Sequence, residues 1–116
     1  GKASEMATGA TDGIVVERAD GLSPDQLREL ALAVRQVAGT RAVVLCGVTD
    51  TGGVSLVSAV AKGFPLAAGD LIKDAARAVG GGGGGKGDVA TAGGKDASGI
   101  DEALRLAREK AASAGE

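Results

Sequence analysis

Apolar positions along the chain recur with two different periods. Ile14, Val15 and Val16 form a short β-branched run between Gly13 and Gly21, which predicts a strand over residues 13–18. The period then changes. Leu27, Leu30, Ala31, Val34, Val37 and Ala38 recur at helical spacing, with Arg28, Glu29, Arg35 and Gln36 on the other side. Ser23-Pro24-Asp25-Gln26 opens that helix with three agreeing signals: a hydroxyl able to cap, a proline where a missing N–H costs nothing, and glutamine at capping-box spacing. Gly39 ends it. Residues 41–48 are almost continuously apolar and rich in valine, the pattern of a strand buried on both faces. A turn signal at Asp50-Thr51-Gly52-Gly53 and a returning strand over 54–60 complete a hairpin. Strand, helix, strand implies a right-handed parallel crossover for the first pair.

Gly63-Phe64-Pro65 breaks the pattern, and a second helix is predicted over 69–79 with Leu71, Ile72, Ala75, Ala76 and Val79 as its inner stripe. Residues 87–94 read as a short extended segment. Ser98 and Asp101 signal the start of a last helix, whose stripe is Ile100, Ala103, Leu104, Ala107 and Ala111. The expected fold is α/β: a small mixed β-sheet in β-α-β-β-α-α order, with packed helices and a glycine-rich loop. At 116 residues the chain admits one domain with a two-layer core. Residues 1–11, small and polar, are expected to be a flexible N-terminal end, cut from something longer. Residues 12–113 are expected to form the single domain.

Between the last two helices lies a stretch that no ordinary turn requires. Glycine is unbroken from Gly80 to Gly85, followed by Lys86 and Gly87, with Gly93-Gly94-Lys95 close behind. Glycine is costly to order, so such a run reads as a linker or as a loop whose bare backbone approaches another molecule. Linkers join domains, whereas this run lies inside one, which favours the loop.

Overall charge gives little guidance: thirteen Lys and Arg against fifteen Asp and Glu leave −2. Its distribution is uneven. Between Lys62 and Lys95 there are five cations and three anions, net +2, which leaves −4 for the rest. A local basic surface around the glycine run is therefore compatible with an acidic chain. Lys73 and Arg77 stand four apart on one helix face, with Asp70 and Asp74 relieving their repulsion, and a solvated face explains either one alone. With no histidine and one cysteine, a zinc site, a Cys–His nucleophile, a Ser–His–Asp triad and an intrachain disulfide are excluded within the chain. Cys46 reads as a buried free thiol, and this cysteine usage fits a cytoplasmic origin. No apolar run is long enough to span a membrane. Phe64 is the single aromatic, which disfavours base stacking and leaves backbone and shape as the means of binding a nucleic acid.

The run satisfies phosphate-loop patterns trivially and fails them in context. A P-loop follows a strand, opens a helix and places Ser or Thr where Gly87 stands. The dinucleotide fingerprint fails the same strand–turn–helix test. Residues 79–88 (VGGGGGGKGD), 92–96 (AGGKD) and 101–104 (DEAL), preceded in the same order by 50–57 (DTGGVSLV) and 69–73 (GDLIK), resemble another family. They look like the C-terminal domain of alanyl-tRNA synthetases, a domain of the DHH-associated accessory type, and the resemblance runs from about Asp12 to Ala111. That family commonly has Arg-Pro where this chain has Lys86-Gly87, so the charge survives and the proline's stiffening does not. Phosphodiesterases sharing the accessory domain tend to carry a histidine beside the glycines, and its absence favours the synthetase branch.

The resemblance implies a non-catalytic tRNA-binding module that contacts the elbow of alanine tRNA and supports aminoacylation and editing. The parent would be an ATP-dependent alanine-tRNA ligase of the cytoplasm, with a zinc-containing editing domain elsewhere. Its candidate RNA contacts are Gly81, Gly82, Gly83, Gly84 and Gly85 through the backbone, Lys86 and Lys95 by phosphate pairing, and Lys73 and Arg77 as an approach surface. Asp88 is expected to order the loop. No catalytic residue, metal or cofactor is expected in the chain itself. Expected partners are tRNA and the parent's other domains, with a possible homodimer through parts not present and no membrane. Two alternatives stay open: the nucleic-acid substrate-binding domain of a DHH-type phosphodiesterase, and a protein–protein or dimerisation module using an apolar face of the last helix.

Overall fold

The structure, a computed structural model, describes residues 1–83 and 87–114. Four strands form one mixed sheet in the order β1-β2-β3-β4: β1 (Ile14–Arg18), β2 (Ala42–Val48), β3 (Val54–Val60) and β4 (Val89–Gly94). β1 and β2 are parallel, with Ile14 opposite Ala42. The β2–β3 hairpin and the β3–β4 pair are antiparallel. β4 is the short extended segment of the sequence reading, and it becomes a strand because β3 offers it a full ladder from Val54–Gly94 to Ala59–Val89. The sheet thus gains a fourth strand that the expected element order lacked.

Helix α2 (Pro24–Gln36) crosses from β1 to β2 as expected. Its capping box is complete: Ser23 Oγ accepts from Gln26 N–H at 3.1 Å, and Gln26 Oε1 accepts from Ser23 N–H at 2.9 Å. Two helices stand where one was expected, α3 (Ala68–Leu71) and α4 (Lys73–Ala78). The backbone leaves the helical region at Ile72 (φ −109°, ψ 8°), whose side chain is fully buried in the core. Helix α5 (Ile100–Ser113) follows a single 3-10 turn over residues 97–99. Asp96 caps that turn by accepting from Ser98 N–H at 3.0 Å, so the start signal lies two residues before the expected Ser98.

Apolar side chains fill both faces of the sheet, giving three layers where two were expected. Val16, Val44, Cys46, Leu56 and Val60 face α3, α4 and α5. Val15, Val43, Leu45, Val57 and Ala59 face α2 and the helix α1 (Lys2–Thr8). The stretch expected to be a flexible end therefore carries a helix, whose Met6 is buried against α2 and β1. One methionine among small polar residues leaves no periodicity to read.

Candidate nucleic-acid interface

The described part of the glycine run begins as a helix terminator. Gly80, at φ +71°, follows α4 and donates its N–H to Arg77 O at 3.0 Å, while Gly81 N–H reaches Ala76 O at 2.9 Å. These are the two bonds of a Schellman motif. Val79 O in turn accepts from Lys95 N–H and Asp96 N–H, both at 2.9 Å. Carbonyls that would repel an anion at a helix C-terminus are thus already occupied.

The second glycine pair packs against the first. A Cβ on Gly81 would stand 1.7 Å from Gly93 O, and one on Gly94 would stand 2.4 Å from Val79 O. Gly99 completes the interlock, because a Cβ there would lie 1.9 Å from Ala78 O. Gly93 and Gly94 are therefore steric partners of the α4 terminus, a role that the Gly-Gly-Lys pattern does not advertise. Over residues 81–83 the chain lies against the outer edge of β4, where Gly83 makes an antiparallel bridge with Ala92; Gly87 O accepts from Ala68 N–H of α3 at 3.0 Å. A glycine backbone can lie this close to β4 because no side chain intervenes.

Of the candidate contacts, the structure gathers Arg77, Gly81, Gly82, Gly83 and Lys95 around the C-terminal end of α4 and the end of β4, while Lys73 stands at the first position of α4, away from that end. Lys73 and Arg77 lie one turn apart on α4 and are exposed, as is Lys95. Arg77 lies 3.7 Å from Asp74, an exposed pair that leaves the guanidinium open to water. Asp96, the other nearby acid, turns its carboxylate to Ser98 N–H and Ser98 Oγ. The Gly81 amide, expected as a backbone donor, is committed to Ala76 O and is corrected to a structural role. Gly82 is exposed with nothing within 4 Å of where a Cβ would stand. Gly84, Gly85 and Lys86 lie outside the described residues. Asp88 acts through its backbone: its carbonyl accepts from Val60 N–H at 2.8 Å and from Arg35 Nη1 at 3.3 Å.

The same geometry removes the surface on which an interaction module depended. Ile100, Ala103, Leu104, Ala107 and Ala111 of α5 are all buried in the core, and no large apolar side chain is exposed among the described residues. No cluster of three or more metal-ligating side chains occurs among them either.

A family profile described as DHHA1 domain matches residues 11–113. The chain belongs to the DHHA1 domain family. Alanine–tRNA ligase of Chlorobaculum tepidum is 48% identical to it over 97 residues, 80% of this chain and 11% of that protein. The ligase of Thermobifida fusca is 40% identical over 119 residues, 97% of this chain and 13% of that protein. The chain therefore spans little more than a tenth of the length of the curated relatives it matches. Among solved structures, the C-Ala domain of Aquifex aeolicus alanyl-tRNA synthetase superposes with a TM-score of 0.72 at 28% identity, covering 83% of this chain and 87% of that one. In this DHHA1 domain, the α4–β4 corner is set by pairing β4 with β3 and packing α4 against β4 and α5.

Proposed function

We propose that this DHHA1 domain is a non-catalytic tRNA-binding module of a cytoplasmic alanine–tRNA ligase. It would contact the elbow of alanine tRNA and help the charging and editing centres of the parent act on one tRNA. The observation that carries the reading is the α4–β4 corner, where exposed Arg77 and Lys95 flank a bare glycine backbone and Lys73 lies one turn back along α4. Likeness to alanine–tRNA ligases and to a C-Ala domain supports it.

An elbow is a folded shape edged by phosphates and 2′-hydroxyls, which lysines, an arginine and close backbone approach can read without aromatic stacking. Lys73, Arg77 and Lys95 would pair with phosphates, and Gly82 and Gly83 would allow close approach. Gly84, Gly85 and Lys86 are assigned to the same interface by sequence position alone. With few cations involved, binding by this domain on its own is weak, and tethering to the parent's other domains raises it.

An amide NMR titration with folded alanine tRNA, against an acceptor-stem hairpin lacking the elbow, tests the reading. Amides of 80–83 and 93–96 should shift with tRNA and not with the hairpin. Equal response to both RNAs, or to neither, rejects elbow contact.

A further inference from the structure

At the opposite edge of the sheet from the glycine segment, a cavity of about 260 Å³ opens between the end of α1, the turn before β1, the edge of β1 and the last turns of α5. Ile14, Val16 and Ala111 give it an apolar floor. Two arginines from distant parts of the chain line it, Arg41 just before β2 and Arg108 on α5. Arg41 Nη1 donates to Asp12 O at 3.2 Å, and its guanidinium lies 5.4 Å over the Phe64 ring. Arg108 Nη2 donates to Val16 O at 3.1 Å.

These contacts hold both guanidinium heads in place without an ion pair, although the acidic residues Asp12 and Glu17 line the same cavity. Among the described residues, the ion pairs involve Arg18, Arg77 and Arg105, and neither Arg41 nor Arg108 forms one. Each guanidinium carries five N–H donors and cannot shed its charge, so each retains donors for an anion. Glu17, half-buried, also lines the cavity and offers an acceptor to a hydroxyl. The volume falls just short of the roughly 300–1,000 Å³ of pockets that hold whole drug-sized ligands. A small anionic group with hydroxyls attached fits this set.

We propose that this cavity binds the phosphate and ribose of a nucleotide. Arg41 and Arg108 take the phosphate oxygens, Glu17 accepts from a ribose hydroxyl, and Ile14 and Val16 pack beneath the sugar. The source is a free nucleotide or one residue of an RNA strand, since both present the same chemistry. The site is independent of the α4–β4 corner, because none of its lining residues belongs to that corner.

The test is a titration of the isotope-labelled 116-residue chain with AMP and, separately, with folded tRNA, following the amides of Gly9, Thr11, Gly13, Val16 and Ala112. AMP should shift these amides, and Arg108→Gln should weaken that response about tenfold, the scale of losing a charge-assisted bidentate contact. Ala112→Glu, at an exposed position of α5, adds a carboxylate to the cavity wall and should weaken it at least as much with the core untouched. A response to tRNA alone, abolished by the same two variants, assigns the phosphate to an RNA strand. No response to either probe, or a response that both variants leave unchanged, overturns the proposal. Substituting Lys73, Arg77 and Lys95 should leave the AMP response intact, which separates this result from the fate of the elbow reading.

Discussion

Gly81 and Gly82 are neighbours in one glycine run, yet alanine should have opposite consequences at the two. At Gly81 the new methyl meets Gly93 O at 1.7 Å, a backbone atom held in the β4 ladder that cannot turn aside. We expect Gly81→Ala to destabilise the fold by at least about 2 kcal/mol, within the range for overpacking a tight contact. Gly82 has open space and no left-handed φ, so Gly82→Ala should change stability by less than about 1 kcal/mol and in the stabilising direction. Urea unfolding of the two variants side by side decides it. Equal effects would mean that the run acts as an undifferentiated linker.

Cys46 makes a second residue-scale prediction. It is fully buried in β2, and burial pushes its thiol from 9.0 up to about 11. The unfolded chain releases this proton near pH 9 while the folded chain retains it until about pH 11. The stability it contributes is therefore complete below pH 9 and lost as pH rises through that window, about 2–3 kcal/mol in all. Unfolding free energies at pH 8 and pH 11 should converge between wild type and Cys46→Ala by that amount. A gap that stays constant with pH would rule out titration of the thiol as the cause.

At the scale of elements, the clearest sequence signals were those closed within a few residues. The α2 capping box joins Ser23 and Gln26, three apart, and needs no tertiary partner. Ser23→Ala should cost about 1 kcal/mol, read by thermal or urea unfolding. Strands β1, β2 and β3 were equally legible, since each is a run rich in β-branched residues bounded by turn signals. Helix α1, the break at Ile72 and strand β4 were not. Met6 finds its core only once α2 and β1 are packed. Val89–Gly94, with three small residues and two glycines after its valine, has weak strand preference and is held by the β3 ladder. Lys73 and Arg77 were visible as cations, but the break beside Lys73 was not.

Across the whole molecule, charge and shape separate. A net charge of −2 does not attract RNA, so the proposed interface relies on local cations, Arg77 and Lys95 at the α4–β4 corner and Lys73 at the start of α4. Replacing Lys73, Arg77 or Lys95 singly by Gln should lower the slope of log affinity against log salt by nearly one each. Filter binding or fluorescence titration at several salt concentrations checks this. A slope that none of the three changes would place the interface elsewhere.

The amino-acid sequence by itself determined the family, the α2 crossover, the β2–β3 hairpin, the buried thiol and the absence of histidine chemistry. Each of these depends on residue type or on contacts closed within a short stretch. The tertiary structure alone decided that the first two glycines cap α4, that Gly93 and Gly94 make room for that cap, and that helices cover both faces of the sheet. It also brought Arg41 and Arg108 to one cavity. These are matters of which backbone meets which across the sheet, and in a chain with so much glycine the meeting atoms carry no side chain that could announce it.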